Sequence, residues 1–174
     1  MTPDRAPLVV LVGPPGALTS EVGRELGRRL GVAVRDTDDD VSAAAGKPVA
    51  DIFVEDGEAA FRDLERLAVS HALTEHDGVL VLGSGAVVDP LTEQALSGHT
   101  VAFLDVSVSE AARRLGFSGP RPMGLGNPRA QWLRLMEHRR PVYERLATVT
   151  ILTDGLQPAE AAVRLAGALG EVRR

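Results

Sequence analysis

Strand-length apolar runs recur five times along this chain, and each is followed by residues at helical spacing. That alternation leaves few folds open. Leu8–Val12 is apolar and β-branched and closes on Gly13-Pro14-Pro15-Gly16, so it reads as a buried strand entering a turn. Val22, Leu26 and Leu30 then predict a helix over 19–30 that stops at Gly31. Val32–Val34, Gly78–Leu82, Thr100–Val106 and Val149–Leu152 supply the other four strands. Helices are expected from about Asp38 to Glu75, with breaks at Gly46-Lys47-Pro48 and Asp56-Gly57. Four more are expected over Pro90–Leu96, Ser109–Leu115, Ala130–Arg139 and Pro158–Leu169. Strands separated by helices require right-handed crossovers, hence an α/β fold whose parallel sheet is covered on both faces. With no repeat or linker, residues 1–174 are expected to form one domain. Residues 116–128 are rich in Gly and Pro without periodicity, and a loop of that length is expected to be a functional lid.

Composition narrows the partners. The formal net charge of -5 offers no global field for nucleic acid or anionic lipid, and aromatic residues at 3% are too few for single-strand stacking. There are no cysteines, which excludes disulfides, thiolate metal sites and a cysteine nucleophile. His71, His76, His99 and His138 show no ligand spacing. No apolar run approaches membrane-spanning length, and the first residues lack a secretory pattern, so the expectation is a cytoplasmic protein. Any anionic ligand must be held by a few locally placed cations.

A strand, a Gly-rich turn and a helix form the place where backbone N–H groups and a helix N-terminus cradle phosphate. The full pattern is G-x-x-x-x-G-K-[ST]. Gly13-Pro14-Pro15-Gly16-Ala17-Leu18-Thr19-Ser20 keeps the first glycine and the final serine, but Leu18 stands for the second glycine and Thr19 for the lysine. A bulky residue at 18 disfavours positive φ and fills space where backbone approaches phosphate. Thr19 offers a hydroxyl but no charge. Lys47, the only lysine in the chain, lies beyond the second strand and does not replace it. Taken alone, this segment reads as a turn that binds nothing.

Further motifs fall in register with it. Asp36-Thr37-Asp38 follows the second strand, and Asp51-Ile52-Phe53 and Gly57-Glu58 precede Phe61-Arg62. Gly83-Ser84-Gly85-Ala86 follows the third strand, Arg121-Pro122 sits in the 116–128 loop, and Arg139-Arg140-Pro141-x-Tyr143 follows the next helix. In this order and spacing the chain resembles the shikimate kinase family, from about Leu8 to the last helix. The resemblance implies a three-layer P-loop kinase fold with a five-stranded parallel sheet flanked by helices. It also implies transfer of the γ-phosphoryl of ATP, with Mg²⁺, to the 3-hydroxyl of shikimate in chorismate and aromatic amino-acid biosynthesis, by a monomer.

The roles it implies are specific. Asp38 holds the shikimate hydroxyls and acts as base. Arg62 and Arg139 clamp the carboxylate, a task suited to guanidinium forks; Gly83, Ser84 and Gly85 bring backbone to the substrate. Gly13, Gly16, Ala17, Leu18, Thr19 and Ser20 form the nucleotide loop, and Ser20 with Asp36 holds the metal. Arg121 reaches over the phosphates as a catalytic cation, against the alternative of a solvated loop residue. Arg114 falls near the adenine, against the alternative of a helix-surface arginine. Arg62 has its own alternative, a surface ion pair with Glu58 or Glu65. Trp132 and Tyr143 read as helix packing. Ser84 departs from a triple glycine in that family, so its side chain narrows the pocket. The acceptor half of the site is thus nearly complete and the donor half eroded, which leaves two readings: a weakened kinase, or a pseudokinase that binds the acid without turnover.

Overall fold

A run such as Leu8–Val12 has no polar face to give to water, and it folds as the centre of a sheet covered on both sides. The computed structural model describes residues 5–119 and 126–172. Its β1 (Val9–Val12) is fully buried and pairs in parallel with β3 (Val79–Val81) and with β4 (Val101–Asp105). Outside these lie β2 (Val34–Asp36) and β5 (Val149–Leu152), completing the order β2-β3-β1-β4-β5. The five-stranded parallel sheet is the one expected.

The helices are α1 (Thr19–Leu30), α2 (Thr37–Ala45), α3 (Val49–Glu55), α4 (Glu58–Glu75), α5 (Pro90–Ala95), α6 (Val108–Leu115), α7 (Pro128–Leu146) and α8 (Pro158–Val172). A short 3-10 turn at Ala86–Val88, absent from the sequence reading, follows β3. None of the helices among the described residues is long and apolar enough to cross a membrane.

Two elements depart from expectation, each for a local reason. The second strand was expected at Val32–Val34 but occupies Val34–Asp36, because the Val32 amide closes the end of α1 on the Gly27 carbonyl at 3.0 Å. Asp36 therefore ends the strand and caps α2, its side chain accepting from the Asp38 amide at 3.0 Å. The helix expected to end at Arg139 runs on through Pro141 to Leu146. Proline forgoes one backbone hydrogen bond there, at a cost of about 3 kcal/mol. Tertiary contacts offset it: Arg140 grips Asp105 with two bonds of 2.8 and 2.9 Å, and the Tyr143 ring stacks on Phe103 at 5.0 Å.

The core has two parts. The larger surrounds the sheet. The smaller, Val41, Ile52, Phe61 and Ala68, lies under α2, α3 and α4 and is separate from it. Asp38 and Arg62 stand on α2 and α4, over the smaller core, and Arg139 on α7.

Candidate active site

The turn after β1 adopts, at Leu18, the left-handed conformation that a glycine would favour there. Leu18 sits at φ 62, ψ 34, the only non-glycine residue with positive φ among the described residues, and its carbonyl opens α1 by accepting from Val22 at 2.8 Å. The expectation that leucine would resist this geometry is corrected. A left-handed L-residue costs about 1–2 kcal/mol, and here the Leu18 side chain packs half-buried against the main core, which opposes that cost. Gly13 is fixed sterically, since a Cβ there would lie 2.5 Å from the Leu104 carbonyl oxygen. Ala17 is buried and its amide donates within the loop to the Pro14 carbonyl at 3.1 Å. At the loop's helical end Ser20 Oγ donates to Asp36 Oδ2 at 2.6 Å, so the two residues assigned to the metal are in contact.

Arg114 is neither a free surface arginine nor a free cation. Its guanidinium donates to the Gly16 carbonyl at 2.9 Å, to Thr153 Oγ1 at 3.0 Å and to the Thr153 carbonyl at 2.6 Å, and it pairs with Glu110 at 2.8 Å. It braces the loop against the turn after β5. Arg114→Ala is expected to lower unfolding free energy by about 2 kcal/mol, because buried carbonyls lose their donor; urea denaturation measures it, and an unchanged midpoint would show the brace to be idle. Glu110, hydrogen-bonded first by Arg113 and then attracted by Arg114, is held down at about 2.

The acid-side residues converge. The start of α2 presents Asp38, α4 presents Arg62 and Glu65 one turn apart, the β3 loop supplies Gly83–Gly85, and α7 supplies Arg139. All of these line one cavity of about 280 Å³. A second cavity of about 350 Å³ is lined by Gly16, Leu18, Thr19, Ser20, Glu21 and Arg114. Pro15, Asp38, Gly83 and Ser84 belong to both, so they form the wall between the two spaces.

Electrostatics at that wall are unusual. Asp38 Oδ1 is buried without a hydrogen-bond partner. Burial pushes its carboxyl up to about 6, helped by the charges of Asp36, Glu65 and Asp39 and opposed by Arg62. Glu65 is likewise raised by burial and opposed by its bond to Arg62. The absent side chain of Gly83 makes room for both: a Cβ would stand 2.8 Å from Asp38 Oδ1 and 2.9 Å from Glu65 Oε2. A Cβ on Gly85 would meet the Arg62 guanidinium at 2.5 Å. The Gly83 amide itself faces Thr37 Oγ1 at 3.4 Å.

Arg62 does make the ion pairs foreseen for it, with Glu65 at 2.7 Å and Glu58 at 3.6 Å, while still lining the cavity. Arg139 makes no ion pair among the described residues and donates to Ser84 Oγ at 3.0 Å. Lys47 pairs with Glu55 and Asp56, both at 2.7 Å, and does not line either cavity. Arg121 lies outside the described residues. No group of three or more His, Asp or Glu among the described residues could hold a metal by itself.

Three contributors escaped the sequence reading. Glu65 was visible only as an ion-pair partner, although its spacing from Arg62 puts both on one helix face. Trp132 and Tyr143 pack as expected, but Trp132 Nε1 also donates to the Pro15 carbonyl at 2.9 Å and the Tyr143 hydroxyl donates to the Ser84 carbonyl. Burial pushes that phenol up to about 12, which keeps it a donor. One helix therefore tethers both glycine loops.

Residues 15–169 match the family model described as shikimate kinase. The chain is 52% identical to a shikimate kinase of Streptomyces coelicolor over 155 residues, covering 89% of this chain and 91% of that one. It is 50% identical to one from Salinispora arenicola, covering 94% and 98%. A solved shikimate kinase from Acinetobacter baumannii in complex with shikimate superposes with a TM-score of 0.86 at 27% identity, covering 96% of this chain and 94% of that one.

Proposed function

Because this chain belongs to the shikimate kinase family, we propose that it binds shikimate and phosphorylates its 3-hydroxyl from Mg-ATP, at a rate held down by Thr19. The convergence of Asp38, Arg62 and Arg139 on one cavity, divided from the loop cavity only by Asp38, Ser84 and their neighbours, carries the reading.

Arg62 and Arg139 hold the carboxylate, Arg139 supplying the charge that Arg62 shares with Glu65. The reacting hydroxyl then lies at the dividing wall, where Asp38 accepts its proton. Gly16, Leu18, Thr19 and Ser20 offer the loop backbone to phosphate oxygens, with Arg121 as the lid cation. Gly13 sets the turn, and Ala17, its amide already bonded, supports the loop from behind. Ser20 and Asp36, a hard-oxygen pair at the helix end, suit Mg²⁺ with its water shell. When bound, the metal neutralises phosphate charge and aligns the transferred group. The protein acts as a monomer in the cytoplasm.

The pH dependence follows from Asp38. A base must be ionised, and its carboxyl is raised to about 6, so turnover is expected to fall as pH drops through 6. The sign for stability is opposite: the folded state holds this proton more tightly than the unfolded one, so ionisation between about pH 4 and 6 weakens the fold. A turnover rate flat from pH 5 to 8 would remove Asp38 as the base.

A second reading, a protein that holds the acid without turnover, is favoured by the loop cavity itself. It is lined by Glu21 and Asp38, and its one described cation, Arg114, is already bound to carbonyls and Glu110. Titration calorimetry with shikimate and, separately, with Mg-ATP separates them. Binding of both supports the kinase, binding of the acid alone supports the second reading, and binding of neither overturns both.

A further inference from the structure

Ser84 is held at both ends by one face of α7. Its hydroxyl accepts from Arg139 Nη1 at 3.0 Å and its carbonyl accepts from the Tyr143 hydroxyl, one helical turn further on. It also lines both cavities, at the wall between them. The two cavity arginines are oriented by different means. Arg62 is fixed by two carboxylates, which also cancel part of its field. Arg139 makes no ion pair among the described residues and is held by neutral hydroxyls, that of Ser84 and the adjoining Tyr143 phenol, with Glu65 acting only through space.

The difference has chemical content. A free arginine side chain loses rotamer freedom when an anion immobilises it. A carboxylate brace would remove that loss but compete with the incoming anion. A hydroxyl brace fixes the rotamer with no carboxylate in direct contact, so Arg139 keeps more of its charge for an incoming anion than Arg62 does, although Glu65 still acts on it through space. We infer that the Ser84 hydroxyl is a positioning group that pre-orients Arg139 for a carboxylate, setting affinity for the acid through Arg139. This rests on the reading above that the cavity takes a carboxylate.

Ser84→Ala keeps the backbone and the Tyr143 bond to the residue-84 carbonyl while deleting the hydroxyl. Two readouts decide the matter. In the unliganded protein, the rate at which phenylglyoxal modifies Arg139, followed by mass spectrometry, is expected to rise about threefold as the guanidinium is released, with Arg62 as internal reference. By calorimetry, affinity for shikimate is expected to fall about fivefold, the equivalent of one side chain newly immobilised on binding. An unchanged Arg139 rate overturns the inference whatever the affinity does. So does an unchanged or tighter affinity in a protein whose parent binds shikimate. If the parent binds no shikimate, the proposed function falls, and the modification rate still decides whether Ser84 orders Arg139.

Discussion

Thr19→Lys is expected to raise the rate of phosphoryl transfer to shikimate by roughly 100- to 1000-fold, the usual scale for one preorganised donor aimed at developing charge. The substitution needs no help from its neighbour, because the left-handed turn that glycine normally provides is already present at Leu18. Thr19 lines the loop cavity beside Ser20, so a lysine on the same backbone reaches the space where transferred oxygens would lie. That cavity now holds the carboxylates of Glu21 and Asp38 against one committed arginine. A new ammonium changes the balance of its field as well as adding a contact. Coupled-assay rates at saturating shikimate and Mg-ATP measure the effect. No gain would mean that the loop, though shaped like a cradle, is not where phosphate goes.

The second large effect is on the acid side. Arg139→Ala is expected to weaken shikimate binding by about 2–5 kcal/mol, since it leaves a desolvated carboxylate facing an arginine already shared with Glu65 and Glu58. The change should appear in the calorimetric dissociation constant and leave Mg-ATP binding nearly as it was, because Arg139 does not line the loop cavity. An unchanged affinity would take Arg139 out of the site. The two substitutions thus test the two halves of the molecule independently.

What the chain discloses before folding is uneven, and the reason is distance along the chain. β1, the turn after it and α1 were legible because an apolar β-branched run, a Gly/Pro turn and helical spacing are all local signals. The charged residues of the acid cavity were legible as a set only through resemblance to a family, since Asp38, Arg62 and Arg139 lie on three separate helices. Pro141 misled because a proline reads as a stop, whereas Asp105 and Phe103, some 35 residues or more away, hold the helix on through it. Arg114 could be read two ways because its partners, Gly16 and Thr153, lie 98 and 39 residues off. Leu18 is a different lesson. Residue type ruled against positive φ, and the packing of its side chain outweighed that preference.

The small separate core under α2, α3 and α4 has a consequence for how such a protein changes over time. Val41, Ile52, Phe61 and Ala68 share no buried cluster with the sheet. Substitutions at Val41 and Ile52 couple weakly to those around the strands, because energetic effects add when sites have no common neighbours; α4 is the link, carrying Phe61 and Ala68 of this core and Val69, Ala72 and Leu73 of the other. The part that presents Asp38 and Arg62 can therefore be remodelled like a replaceable jaw on a fixed handle. By the same separation, the donor loop could decay while the jaw kept its grip.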